Sequence, residues 1–410
     1  MSLSPAAVNN AECVSSGKHL PLARLYRQHQ WFELREQVSR GQGIDLFYQG
    51  VVAATFDQRQ DCLIRFQHIL ECRPQSAEAY EAHKLLAWMY LRHGNYDRAL
   101  NQVQAMAALQ PDNTTILSGI QLYSVLAAYP SQVIGEKKVS HVPTSTVDGN
   151  LFIPVSINGV SCHAMLDTGA TMSLITRAEA RRAGMSVRPL PKGSLQIYGA
   201  TGDQSTAAVA TADELVIGKF RIKHPVFLVL DDWQLQFPPQ YRIALGLPVI
   251  LALQSLKWEP PRDKLTFGSP SALPEPQSPN LCFDAADLVA SVEVEQQAIN
   301  LLIDTGSGST MLWPPFANRF RGMLSRSSNG MSVVHGIGGV ASREHAEVQE
   351  LTLRFGRHQV YLSPAHVLTG RTTPNSGWLF GRMGLDALCQ CQSLEIDFRA
   401  MTLTFERVPA

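Results

Sequence analysis

Between residues 20 and 130 apolar side chains recur every three or four positions among Gln, Arg, Glu and Ala, the spacing that gives a helix one apolar face. An all-α region is expected there. Within it two stretches look alike: one runs from Leu46 and Gly50 through Phe66 to Pro74, the other from Leu86 and Ala87 through Gly94, Tyr96 and Ala99 to Pro111. Beyond Pro130 the pattern changes to short alternating runs of apolar and polar residues punctuated by Gly and Pro, which reads as β structure. Residues 268 to 279 carry Pro270, Pro274, Pro276 and Pro279 and cannot pass through the middle of a sheet. They divide the β region into halves at 148–268 and 281–410. The expected class is therefore α + β and multidomain: an N-terminal all-α helical repeat followed by two all-β lobes.

Composition narrows the function classes. At roughly 150 residues per domain, 410 residues leave room for about three. Lys+Arg 35 balances Asp+Glu 35, so nothing favours nucleic acid or an anionic membrane as the main partner. The longest strongly apolar stretch, around 244–253, is far short of the roughly 20 residues of a membrane span. Seven cysteines scattered over the chain do not resemble a disulfide framework, and Cys389 and Cys391 have no second pair or His cluster beside them in sequence. Neither a metal nor a cofactor is expected. The first residues lack a basic start and an apolar core, so a cytoplasmic location is expected for the chain as written, and a periplasmic or secreted one if a signal has been removed.

The two β halves repeat each other. Residues 164–170, Ala-Met-Leu-Asp-Thr-Gly-Ala, match residues 301–307, Leu-Leu-Ile-Asp-Thr-Gly-Ser, so that Asp167 and Asp304 lie 137 residues apart. A ring residue followed by glycines comes 31 residues after each Asp: Tyr198, Gly199 and Gly202 in one half, His335, Gly336, Gly338 and Gly339 in the other. Gly246 follows Asp167 by 79 residues and Gly384 follows Asp304 by 80. One Asp-Thr-Gly is weak evidence; two with matched downstream spacing are much stronger. Two carboxylates about 3 Å apart share one proton because both cannot ionise together, and such a pair can activate a water and protonate a carbonyl without a metal. Gly169 and Gly306 would let the backbone bend and approach closely behind each Asp. The glycine-rich segments read as hairpin tips able to close over an extended peptide, although an ordinary surface hairpin would show the same residues.

On these residues the β region resembles the aspartic proteases of the retropepsin and pepsin-like superfamily, with two retropepsin-like lobes on one chain. The resemblance implies an aspartic endopeptidase acting on a peptide or protein, with Asp167 and Asp304 as the catalytic pair. It implies that Thr168 and Thr305 bond across the two loops, with Gly169, Ala170, Gly306 and Ser307 supporting them. Tyr198, Gly199, His335, Gly336 and Gly338 would belong to flaps over the substrate. Ser307 resembles a position that hydrogen-bonds its own Asp, which Ala170 cannot do. Asp386 resembles a retropepsin residue that is either structural or a substrate-end contact. The pattern is broken by Leu247 and Pro248 after Gly246, and by Arg382, less apolar than expected before Gly384. With both lobes on one chain, the catalytic unit is expected to be monomeric.

The helical stretches, whose Pro74 and Pro111 are 37 residues apart, resemble tetratricopeptide repeats, which implies a groove for a protein partner. An unrelated helical bundle would share the periodicity. The rival to an enzyme is a protein-binding module in which these helices do the work and the β lobes form a silent platform.

Overall fold

The computed structural model describes residues 20–135, 139–147, 149–190, 197–198, 204–205, 208–234, 237–268, 278–324, 328–336, 339–369 and 377–406. Helices α1 (Leu20–Arg27), α2 (Trp31–Arg40), α3 (Leu46–Thr55), α4 (Arg59–Cys72), α5 (Ala77–Arg92), α6 (Tyr96–Leu109) and α7 (Thr114–Ala127) come first, each packed against the next along the chain. Their starts are written in the sequence. Asp45, Ser76 and Asn113 cap α3, α5 and α7 by accepting backbone N–H bonds one turn in. Gly50 lets α3 and α4 close up, since a Cβ there would stand 2.5 Å from the Phe66 ring. No described helix is long and apolar enough to cross a membrane.

The rest is β-rich and falls into two halves, as the α + β expectation required. Among the described residues the first half builds an 11-stranded sheet and the second a 10-stranded one. Both are wound alike around their Asp. In the first, the strand Val160–Leu166 lies parallel to Ile243–Leu245, with Leu166 beside Leu245; in the second, Gln297–Ile303 lies parallel to Leu379–Met383, with Ile303 beside Met383. Strands such as Asn150–Ile157 and Asp287–Val294 bury most of their side chains, and Phe152, Phe227, Phe283 and Phe316 are wholly buried. Each such ring contributes about 1.5–3 kcal/mol relative to exposure. A third, five-stranded sheet joins the halves through the antiparallel pair Ser255–Glu259 and Ser393–Asp397, with Leu256 opposite Ile396.

The helices are bolted to this β body. Arg92 of α5 is buried; its guanidinium donates to the Ala285 carbonyl and, at 3.2 Å, to that of Ala54, and it lies 4.2 Å over the Phe283 ring. His29 stacks on Trp378 with ring centroids 3.5 Å apart, and both bond the Asp284 carboxylate, at 2.8 Å and 2.5 Å. On the other lobe the Tyr129 hydroxyl donates to the Val209 carbonyl and Gln132 to that of Pro248.

Candidate active site

Two strands deliver two aspartates to the seam between the lobes. Val160–Leu166 ends at Asp167 and Gln297–Ile303 ends at Asp304. Each backbone is then fixed by the same bonds. The N–H groups of Asp167 and Asp304 donate to the carbonyls of Leu245 and Met383, both at 3.0 Å. The Oδ1 atoms accept from the N–H of Gly169 at 3.0 Å and of Gly306 at 3.1 Å. The loops also hold each other. The Thr168 hydroxyl accepts from the N–H of Thr305 at 3.0 Å and donates to the Ile303 carbonyl, while the Thr305 hydroxyl accepts from the N–H of Thr168 at 3.1 Å and donates to the Leu166 carbonyl. Both threonines are buried. A buried, satisfied lattice of this kind is costly to deform, because any lost partner leaves a desolvated donor or acceptor.

Gly169 and Gly306 are required by proximity rather than by conformation. A Cβ on Gly306 would stand 2.3 Å from Cγ of Asp167, and one on Gly169 would stand 2.7 Å from Oδ1 of Asp304. Each loop thus reaches over the other lobe's carboxylate. Gly246 and Gly384 play matching parts beneath: a Cβ there would meet the Met172 and Ser309 carbonyl oxygens at 2.6 Å. Their N–H groups donate at 3.1 Å to the hydroxyls of Ser173 and Thr310. Asp386 accepts from the N–H and hydroxyl of Thr310 at 2.8 Å and 2.6 Å, which gives it a structural task within its own lobe.

The sequence model of the aspartyl protease family matches twice, at residues 153–249 and 290–383. Each half of the β region thus matches that family's model once, in tandem. Among solved structures, a retropepsin-like aspartic protease from Rickettsia conorii is 22% identical, covering 33% of this chain and 92% of that one with a TM-score of 0.22. The aspartic proteinase from Irpex lacteus is 12% identical, covering 65% of this chain and 96% of that one with a TM-score of 0.40. No curated protein matches the chain.

The electrostatics of the two lobes are unequal. Burial pushes Asp167 well above the usual carboxylate range, and the neighbouring Asp304 charge pushes it further. Asp304 is also raised by burial, but Arg382, whose guanidinium lies 3.6 Å from its Oδ2, pulls it back down. Two coupled carboxylates yield two apparent pKa values for the pair; here the cation sits beside Asp304 and offsets part of its upward shift, while Asp167 is raised further. Asp287, at the start of its strand, is held up at about 6 by burial and then by the charges of Asp284 and Asp304.

The other anticipated residues fall as follows. Tyr198 lies in a two-residue strand facing Gln204, whereas Gly199 and Gly338 lie outside the described residues. His335 and Gly336 end the strand Ser328–Gly336, which pairs with Gly339–Val348 so that Gly336 faces Gly339 at the hairpin tip. Ala170 donates its N–H to the Asp167 carbonyl. Ser307 departs from its anticipated bond: its hydroxyl donates to the Ser309 carbonyl at 2.9 Å, inside its own loop, rather than to Asp304. The role of Arg382 was missed, though a charged residue two places before Gly384 in an apolar run was its signal. Asp287 gave none, because its effect depends on Asp284 folding beside it.

Proposed function

We propose that the chain is an aspartic endopeptidase in which Asp304 and Asp167 hydrolyse peptide bonds as a pair. Asp304, ionised beside Arg382, takes a proton from a water that attacks the scissile carbonyl. Asp167, holding the shared proton, donates it to the carbonyl oxygen as the tetrahedral intermediate forms. The observation that carries this reading is the interlocked pair of loops, in which each carboxylate sits under the other lobe's glycine and the two differ in proton affinity. The active unit is one chain, since it supplies both loops. The helices, read as tetratricopeptide-like, are proposed to receive a protein partner. Removing them would bare Phe283 and Asp284, so their role is best probed by substitutions on their exposed face, such as Ile64→Glu.

The test is hydrolysis of a denatured protein and of a peptide library, with and without a statine-type inhibitor. Asp167→Asn and Asp304→Asn should each lower turnover by about 10³-fold or more. Near wild-type turnover in either variant, or activity restored by mixing them, would defeat the reading.

A further inference from the structure

We propose that His345, Glu347 and His366 form a binding site for one zinc-like divalent ion at the root of the Ser328–Val348 hairpin. The three side chains belong to two neighbouring antiparallel strands, Gly339–Val348 and Ala365–Leu368. His345 and Glu347 are two residues apart and therefore share a face. Glu347 is directly opposite His366, while His345 is opposite Leu368, which puts His366 diagonally across from His345 on that same face. One ligand atom from each residue lies within 4.8 Å of the other two.

The distances suit a small tetrahedral ion. His345 Nε2 and Glu347 Oε1 are 3.3 Å apart. Zinc holds N and O donors at about 2.0–2.1 Å, so two donors at neighbouring corners of its tetrahedron stand roughly 3.3 Å apart. The His345 and His366 rings are close and nearly perpendicular, with centroids 4.6 Å apart and planes at 76°. Two imidazoles and a carboxylate form a donor set suited to zinc rather than to calcium or magnesium.

Two further observations point to a ligand. His366 Nδ1 is buried and has no hydrogen-bond partner among the described residues, a costly state for a polar atom that a metal bond would relieve. Gly330, opposite His345 on the hairpin's other strand, leaves space above the donors. A Cβ there would stand 2.9 Å from His345 Nε2 and 3.4 Å from Glu347 Oε1. His345 is buried, whereas the Glu347 side chain is 30% exposed, so a fourth ligand such as water can enter from that side. An ion here would tie the hairpin's returning strand to the strand Ala365–Leu368 of the lobe's body. Its role is to fix the root of the hairpin against the lobe's body; it takes no part in activating the attacking water.

The inference does not rest on the protease reading and is tested without substrate. The full chain is stripped with EDTA and titrated with zinc chloride by calorimetry, and with cobalt chloride by visible absorption. One ion per chain and cobalt bands of tetrahedral intensity are expected, together with a melting temperature that rises with zinc concentration. His366→Gln and the partly exposed Glu347→Gln should each weaken zinc binding at least about tenfold, and Gly330→Ala should weaken it by crowding the donors. Asp304→Asn, which removes a dyad carboxylate, should bind as wild type. A wild-type chain that takes up no ion would overturn the proposal. So would Glu347→Gln binding as tightly as wild type, or binding that vanishes in Asp304→Asn.

Discussion

The two lobes agree wherever the backbone is concerned and disagree wherever a proton is concerned. Asp167 and Asp304 share the loop bonds that position them, from the glycine N–H on Oδ1 to the crossed threonines. Their neighbours differ. At the position two before the supporting glycine, one lobe has buried Ala244 and the other Arg382. At the position 17 before the aspartate, one has Asn150 and the other Asp287. The difference teaches that geometry and proton affinity are set by separate layers of the site. Symmetric loops bring the carboxylates together, and unequal neighbours give the two different proton affinities.

The largest effect should come from breaking the symmetric layer. Gly306→Ala would push a methyl into Asp167, and Gly169→Ala would push one into Asp304. Misplacement by about 1 Å costs on the order of 10²-fold in rate, so both variants should lose at least that in kcat/KM, with Gly306→Ala the worse because its contact is shorter. Equal wild-type rates would show that the loops do not need this close approach.

Next comes the unequal layer. Arg382→Met keeps the stem and removes the charge. Arg382 lowers the proton affinity of both aspartates, so losing it raises both, and the bell-shaped profile of kcat/KM, expected at roughly pH 4 to 6, should move toward higher pH. The rate on the acid side should fall about tenfold, while the rate at the new maximum stays within about threefold. A shift toward acid would refute the assignment of Asp304 as base.

A smaller effect is expected on stability. Folding raises Asp287 from 3.8 to about 6, so the native state favours its neutral form, and its contribution worsens as pH rises through that window. Asp287→Asn should therefore stabilise the chain at pH 7 by on the order of 2 kcal/mol, several degrees in Tm, and have little effect at pH 3. Calorimetric melts at both pH values measure it. The smallest effect belongs to Ser307→Ala. Because that hydroxyl serves the Ser309 carbonyl, the pH profile should stay put, at a cost of about 1 kcal/mol in stability.

Much of the fold could be read from residue order. Helical periodicity ended at Pro130, the proline-rich break lay between the lobes, and the duplicated Asp-Thr-Gly segments with their distant glycines marked the loops. That legibility came from repetition: a pattern that occurs twice at one spacing says which residues share a task. Residues present in only one half escaped for the same reason. Arg382 looked like a blemish in an apolar strand, and its bearing on Asp304 depends on two strands lying parallel in register, Ile303 beside Met383. The His345, Glu347 and His366 cluster is split between strands, and the stack of His29 on Trp378 joins residues nearly the whole chain apart. Ser307 was misjudged because its hydroxyl serves the Ser309 carbonyl of its own loop, a choice of partner that residue order does not show.

The five-stranded sheet that joins the lobes also bears on ancestry. A single lobe pairing with its own copy would form the same seam between identical halves, as isologous dimers do. In such a dimer any substitution arrives twice. An arginine at the position of Arg382 would then place a cation against both aspartates and could not tell one from the other. Joining the halves in one gene lets a mutation land on one side only. A fused seam thus lets inheritance record a difference between the surroundings of the two aspartates.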